Sequence, residues 1–276
     1  MSFKTILAIV GVSNAVTDLN NAISLVADTD AHLSILVVRM GLQPITADYP
    51  VATAWLEERE KEIGQLSEVR QQAYDLCRKA GISYDVDSLY DDLFILQSNI
   101  RLRAIYADLV VLGPGVRSDD GLRKTVIAAV AFDAGAPIFL MPGSGKISLA
   151  PKNVMLAWNS KPEAANAAKA ALSLLKGAEN THVVLVDPDS NYFKNGGEPG
   201  ADIATFLARH GVTTTVEQLA SGERRTEEVL RQHALEVGCD MIVMGAYGHS
   251  RLLERIFGGV TASILEECQF PVFLAR

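Results

Sequence analysis

The sequence predicts an α/β protein made of two tandem doubly wound domains, each built around a parallel five-stranded sheet. Three observations predict it. Short β-rich runs alternate with longer helical patterns along the whole chain, the order that produces right-handed strand–helix–strand crossovers. The runs "VVLV", "MIVM" and "VFLA" are continuously apolar, as parallel strands covered on both faces require. Finally, three segments recur in the same order. "KTILAIVGVSN" from Lys4 aligns with "KNVMLAWNSKP" from Lys152, "ADLVVLGPG" from Ala107 with "CDMIVMGAYG" from Cys239, and "APIFLMPG" from Ala136 with "FPVFLAR" from Phe270. Ordered recurrence over half a chain is the mark of tandem duplication.

In the first half, strands are expected near 4–11, 33–39, 83–88, 108–113 and 137–141. The opening run "KTILAIV" is short, β-branched and soon followed by Asp18, so it reads as a first buried strand rather than an export signal. An insert near 41–60 follows the second strand, with two prolines, Tyr49 and Trp55 ahead of a charged helix. It is either a lid over the first domain or an elongated surface loop and helix. The glycine-, proline- and serine-rich stretch 142–152 marks the junction, giving domains 1–146 and 147–276. In the second half, strands are expected near 153–159, 182–187, 213–218, 240–245 and 271–275. Helices fall near 162–176, 198–210, 224–237 and 259–268. The strands "PIFLM" (137–141) and "PVFLA" (271–275) each carry a row of apolar residues with an unpaired edge.

Composition narrows the function. The 276 residues are 49% hydrophobic and 21% charged with a formal net charge of −8. That balance excludes a surface built wholly for nucleic acid or anionic lipid, though not a local phosphate site. No stretch approaches the roughly 20 apolar residues of a membrane span. The three cysteines, Cys77, Cys239 and Cys268, lack C-x-x-C spacing, which fits a reduced cytoplasm and buried free thiols. His32, His182, His210 and His233 stand apart from one another, at no metal-ligand spacing. Neither G-x-S-x-G nor H-E-x-x-H occurs, so nucleophilic and zinc hydrolases lack support.

The most informative stretch is "GAYGHSRLLERIFGGVT", residues 245–261. It follows an apolar strand and precedes a helix, at the carboxyl end of a parallel sheet where ligands gather. Gly245 ends the strand and Gly248 turns the chain outward. Nine residues later, Gly258 and Gly259 return it to a helix N-terminus, whose free N–H groups attract anions. Arg251 and Arg255 add positive charge, Thr261 a hydroxyl, and His249 either a phosphate contact or a solvent-facing loop residue. The alternative is that these glycines only make two turns.

Gly-x2-Gly-x9-Gly at Gly245, Gly248 and Gly258, with "GAYGHSR", "FPVFLAR", "LAWNSKPEAANA" and "LASGERRTEEVL", resembles the universal stress protein family in its tandem two-domain form. That resemblance implies an adenine nucleotide alpha hydrolase-like fold, here packed as an intrachain pseudo-dimer through the fifth strands of the two domains, with a further homodimer expected. It implies a cytoplasmic stress-response protein holding an adenine nucleotide, ATP with or without Mg, in the C-terminal domain. The nucleotide-binding positions carried over are Asn159, Leu185, Gly245, Gly248, His249, Arg251, Gly258, Gly259, Val260 and Thr261. Two of them depart from the ATP-binding pattern: Gly259 stands where a Ser or Thr follows the third glycine, and Asn159 where an acidic residue ends the first strand. The first half departs further, with Gly11 at the acidic position, Val116 at the second glycine, no third glycine, and Asp119 and Asp120 where phosphate would lie. It is expected to have lost the site. Alternatives are a ligand-free scaffold and a weak ATPase or phosphotransferase; with no general base or metal carboxylate beside the loop, catalysis ranks below binding.

Overall fold

The computed structural model describes residues 3–27, 29–41, 49–145, 147–188, 198–246 and 268–276. Two compact units divide the chain, Phe3–Ala136 and Pro137–Arg276.

The first unit opens with β1 (Thr5–Gly11), α1 (Ala15–Ala27), β2 (His32–Met40) and α2 (Tyr49–Ala80). It continues through β3 (Tyr84–Asp91), α3 (Leu93–Ala104), β4 (Leu109–Leu112), α4 (Pro114–Arg117) and α5 (Asp120–Ile127), and ends in a π-helical segment, Ala128–Ala134. Its strands lie in the order β3-β2-β1-β4, with every pairing parallel. β1 and β4 are buried almost throughout, as strands with helices on both faces must be. Residues 49–60 of the predicted insert form the first turns of α2, and residues 42–48 lie outside the described residues. α2 is anchored by Glu62, buried and hydrogen-bonded to Arg39 at the end of β2 and to the Tyr90 hydroxyl of β3 at 2.8 Å. A buried carboxylate needs such partners to remain charged.

The second unit contains β5 (Ile138–Leu140), β6 (Asn153–Ala157), α6 (Pro162–Ala170), α7 (Leu172–Gly177) and β7 (Asn180–Val186). Beyond these come α8 (Ala201–Arg209), β8 (Thr214–Leu219), α9 (Thr226–Glu236), β9 (Met241–Gly245) and β10 (Val272–Ala275). The strand order is β5-β10-β9-β6-β7-β8. All pairs are parallel except β5 with β10, where Phe139 lies opposite Phe273 and Leu140 opposite Val272. Both phenylalanines are fully buried. This pairing draws the strand at 138–140 into the second unit, so the compact division falls after Ala136, ahead of the glycine-rich stretch 142–152. The helix expected over 162–176 breaks at Ala171, whose φ of −87° and ψ of 2° separate α6 from α7. The helix expected over 259–268 lies almost wholly outside the described residues.

Candidate functional site

In a doubly wound sheet the ligand crevice opens where strand order reverses, at the carboxyl ends of the strands. In the second unit that point lies between β6 and β9, with β7 on the far side of β6. The chain leaves β6 through a tight corner. Trp158 N–H donates to the Val184 carbonyl at 2.9 Å, and its indole Nε1 donates to Ser160 Oγ at 3.1 Å. Ser160 holds φ at 59°, a left-handed conformation that costs a non-glycine residue energy and clusters at ligand sites.

Asn159 lies exposed at this corner, and its Oδ1 accepts the Lys161 N–H at 3.1 Å. One lone pair of Oδ1 serves this turn, which leaves the two Nδ2 donors and one acceptor lone pair for a ligand. The side chain can therefore donate to ring nitrogens, ribose oxygens or phosphate oxygens, where a carboxylate would offer acceptors alone. Beyond β7, Asp187 holds φ at 44° and its Oδ1 accepts from Ser221 N–H at 3.1 Å. The Ser221 hydroxyl adds a second bond, and together they hold the Asp187 carboxyl below the usual carboxylate range. These bonds tie the end of β7 to the segment after β8. Leu185 has its side chain buried against Gly200, whose added Cβ would stand 3.0 Å from Leu185 Cδ1.

Gly245 closes β9 against α6. A Cβ there would lie 2.6 Å from both Ala164 N and Glu163 C, closer than real atoms approach, so the first turn of α6 requires a glycine. Gly248, His249, Arg251, Gly258, Gly259, Val260 and Thr261, with Arg255, lie outside the described residues.

The same corner of the first unit is built differently. After β4 the chain turns back as α4, bringing Gly115 over the end of β1: a Cβ on Gly115 would sit 2.2 Å from the Ser13 carbonyl oxygen. Asp18, on the buried face of α1, fills the space beneath. Its Oδ2 accepts the Gly115 N–H at 2.9 Å, and a Cβ on Gly113 would fall 2.1 Å from its Oδ1. That Oδ1 is buried without a hydrogen-bond partner. Burial raises the Asp18 pKa to about 6, against the opposing pull of the Gly115 N–H and the Arg117 charge. Val116 is fully buried. Asp119 caps α5 by accepting the Leu122 N–H at 3.0 Å, and Asp120 pairs with Arg123 and Lys124. The crevice position of this unit is thus occupied by the protein's own side chain and backbone.

Away from these corners, Glu217 of β8 hydrogen-bonds His182 Nδ1 of β7 at 2.6 Å, and its other oxygen lies 2.6 Å from His233 Nε2 of α9. Among the described residues, no group of three or more His, Cys, Asp or Glu is placed to hold a metal ion. No described helix is long and apolar enough to cross a membrane.

Sequence reasoning singled out Asn159 and Gly245 but missed Asp18, Asp187 and Ser221. A signal for Asp18 existed: it occupies the i position of the apolar stripe Asp18, Ala22, Leu25, where an acid needs a specific reason to be.

A mostly parallel sheet whose order reverses beside its first strand, covered by helices, defines a doubly wound α/β protein. Residues 151–276 match the Universal stress protein family, and this C-terminal half belongs to it. Among solved structures, a universal stress protein from Archaeoglobus fulgidus DSM 4304 is 16% identical, with 98% of this chain and 96% of that one covered at a TM-score of 0.68. A functionally unknown protein from Pseudomonas aeruginosa PAO1 is 15% identical, with 99% and 92% covered at a TM-score of 0.60. At such identities the likeness establishes the fold, and it extends over both units. No curated protein matches the sequence.

Proposed function

We propose that this chain is a cytoplasmic universal stress protein that binds an adenine nucleotide, ATP with or without Mg, in its C-terminal domain and acts in stress response or signalling. The observation that carries this is the β6–β9 corner: the exposed Asn159 presents N–H donors beside the Ser160 turn, while the equivalent corner of the first unit is filled by Asp18. Membership of the C-terminal half in the family supports the same reading. Asn159 faces the nucleoside, and Gly245, Gly248, Gly258, Gly259, Val260 and Thr261 shape a backbone cradle for the phosphates, with His249 and Arg251 beside it. Leu185, buried beneath the β7 end, supports the crevice floor.

Thermal denaturation with ATP, ADP and AMP, with and without magnesium, tests it. A ligand selective for the native state stabilises by about 2.7 kcal/mol at a hundred times its Kd. Millimolar nucleotide that leaves the melting temperature unmoved would refute the proposal. Asn159→Ala is expected to weaken binding several-fold without changing the melt of the nucleotide-free protein, because Asn159 is exposed and makes one local bond.

A further inference from the structure

The amino ends of β2 and β3 carry a side-chain relay at the edge of the first unit's sheet away from the Asp18 corner. His32 opens β2, Ser83 immediately precedes β3, and Asp85 is the second residue of β3. Parallel pairing sets Leu33 opposite Tyr84 and Ser34 opposite Asp85, and the Leu33 N–H donates to the Ser83 carbonyl at 2.9 Å. This register gathers side chains that lie 51 residues apart in the chain, His32 and Ser83. Ser83 Oγ stands 2.8 Å from His32 Nδ1, and Asp85 Oδ1 stands 2.8 Å from His32 Nε2. The other Asp85 oxygen accepts the Ser34 hydroxyl at 3.1 Å.

The partners decide where the protons sit. An ionised carboxylate only accepts, so Nε2 carries the ring proton and donates it to Asp85. In the neutral imidazole Nδ1 is then bare and only accepts, so the Ser83 hydroxyl donates to it. A hydroxyl bonded to a base that a third group orients is the arrangement of an activated nucleophile. Ser83 is exposed, and the His32 and Asp85 side chains are 39% and 50% exposed, so a molecule in solution reaches the Oγ directly.

The second unit supplies an internal control. The bond from Leu33 to Ser83 recurs there as the Thr181 N–H donating to the Thr213 carbonyl, also at 2.9 Å. In the matching register, Asn180, Thr213 and Thr215 stand where the first unit has His32, Ser83 and Asp85. Asn180 donates to the Asn153 side chain at 3.3 Å, and this trio holds neither a base nor an acid. The same strand ends form without the relay, so the fold does not require it.

We propose that Ser83, with His32 as its base and Asp85 orienting the ring, is an acyl-accepting nucleophile that hydrolyses small aryl esters. As Ser83 Oγ bonds to the carbonyl carbon, its proton passes to His32 Nδ1, and Asp85 steadies the imidazolium that forms. The tetrahedral adduct then breaks its bond to the phenol oxygen, which takes the proton from Nδ1 and departs. An acyl ester remains on Ser83. Water attacks that ester while giving its proton to the same Nδ1. The carboxylic acid leaves, and the proton returns to Ser83 Oγ. Ester and water become acid and phenol, with no change of oxidation state. Exposure sets the substrate class: an open rim gathers little binding energy to spend on the reaction, so it favours small donors whose leaving group departs readily.

Hydrolysis of p-nitrophenyl acetate by the full chain tests this site without reference to nucleotide, and either reading can fail alone. The wild type, quenched in acid during turnover and digested, is expected to carry its acetyl group on Ser83 by peptide mass spectrometry. A general base contributes about a hundred-fold or more, so Ser83→Ala and His32→Gln are each expected to slow hydrolysis at least ten-fold. Both should keep the wild-type circular dichroism, since neither side chain is buried. Asp85 is a positioning residue: Asp85→Asn should lower kcat and leave KM in place, with Asp85→Glu restoring part of kcat. His210→Gln, at an exposed histidine just past α8, should change nothing. Acetyl found only on lysines, other histidines or Cys268 overturns the proposal. So does a Ser83→Ala protein that hydrolyses the ester at the wild-type rate.

Discussion

The carboxyl ends of β4 and β9 occupy the same place in their units, and each finishes at a glycine, Gly113 or Gly245. The glycines serve different neighbours. Gly113 makes room for a side chain, the carboxylate of Asp18; Gly245 makes room for backbone, the first turn of α6. One corner is sealed by an acid that could leave if truncated. The other is shaped by a helix that cannot move without dismantling its packing. Identical residue choice at equivalent positions therefore does not imply identical purpose; the neighbour's identity decides what each glycine makes room for.

The largest effects should come where the obstruction is backbone. Gly115→Ala and Gly245→Ala are each expected to destabilise by about 3 kcal/mol or more, as severe core overpacking does. Urea denaturation measures this, and no single side-chain truncation should rescue either variant. Gly113→Ala should cost about 2–3 kcal/mol alone but much less in an Asp18→Ala background, because its obstruction is the Asp18 carboxylate. Additive losses in that double-mutant cycle would show that Asp18 does not fill the corner.

A subtler difference concerns pH. Asp18 has a folded pKa of about 6, above the ordinary value near 4 of an unfolded aspartate. Folding therefore favours its protonated form. The penalty for burying the charge is fully present above pH 6, and stability contributed at this site rises as pH falls from about 6 to about 4. Across that window the gain amounts to about 3 kcal/mol. Asp18→Asn should flatten this part of the stability–pH curve. An unchanged curve would mean that the acid is solvated.

Much of the scaffold was legible because parallel strands announce themselves as unbroken apolar runs. β1, β4, β7, β9 and β10 each begin and end within about two residues of their expected bounds. The break at Ala171 was not legible, since "KAALSLL" is uniformly helix-forming. The sequence reading placed the strand at 137–141 in the first domain, whereas the compact division falls after Ala136, because Phe139 meets Phe273, 134 residues away. At the site, Asn159 announced itself by position, but the bond that fixes its amide, from the Lys161 N–H, is visible only in three dimensions. Asp119 and Asp120 looked like charges opposing a phosphate. In the structure they cap and brace α5, a local role that the charge pattern also permits. The Asp18 plug depends on α1 meeting Gly115 of α4, 97 residues away, and short-range patterns carry no record of such a meeting.

The chain has only two tryptophans, and one of them, Trp158, bonds Ser160 beside the β6–β9 corner. Its indole is thus a built-in optical probe. A molecule that settles next to Asn159 changes the polarity and hydrogen bonding around the ring, so the emission of Trp158 should shift or quench on occupancy, and filling of the crevice can be followed by fluorescence titration without any label.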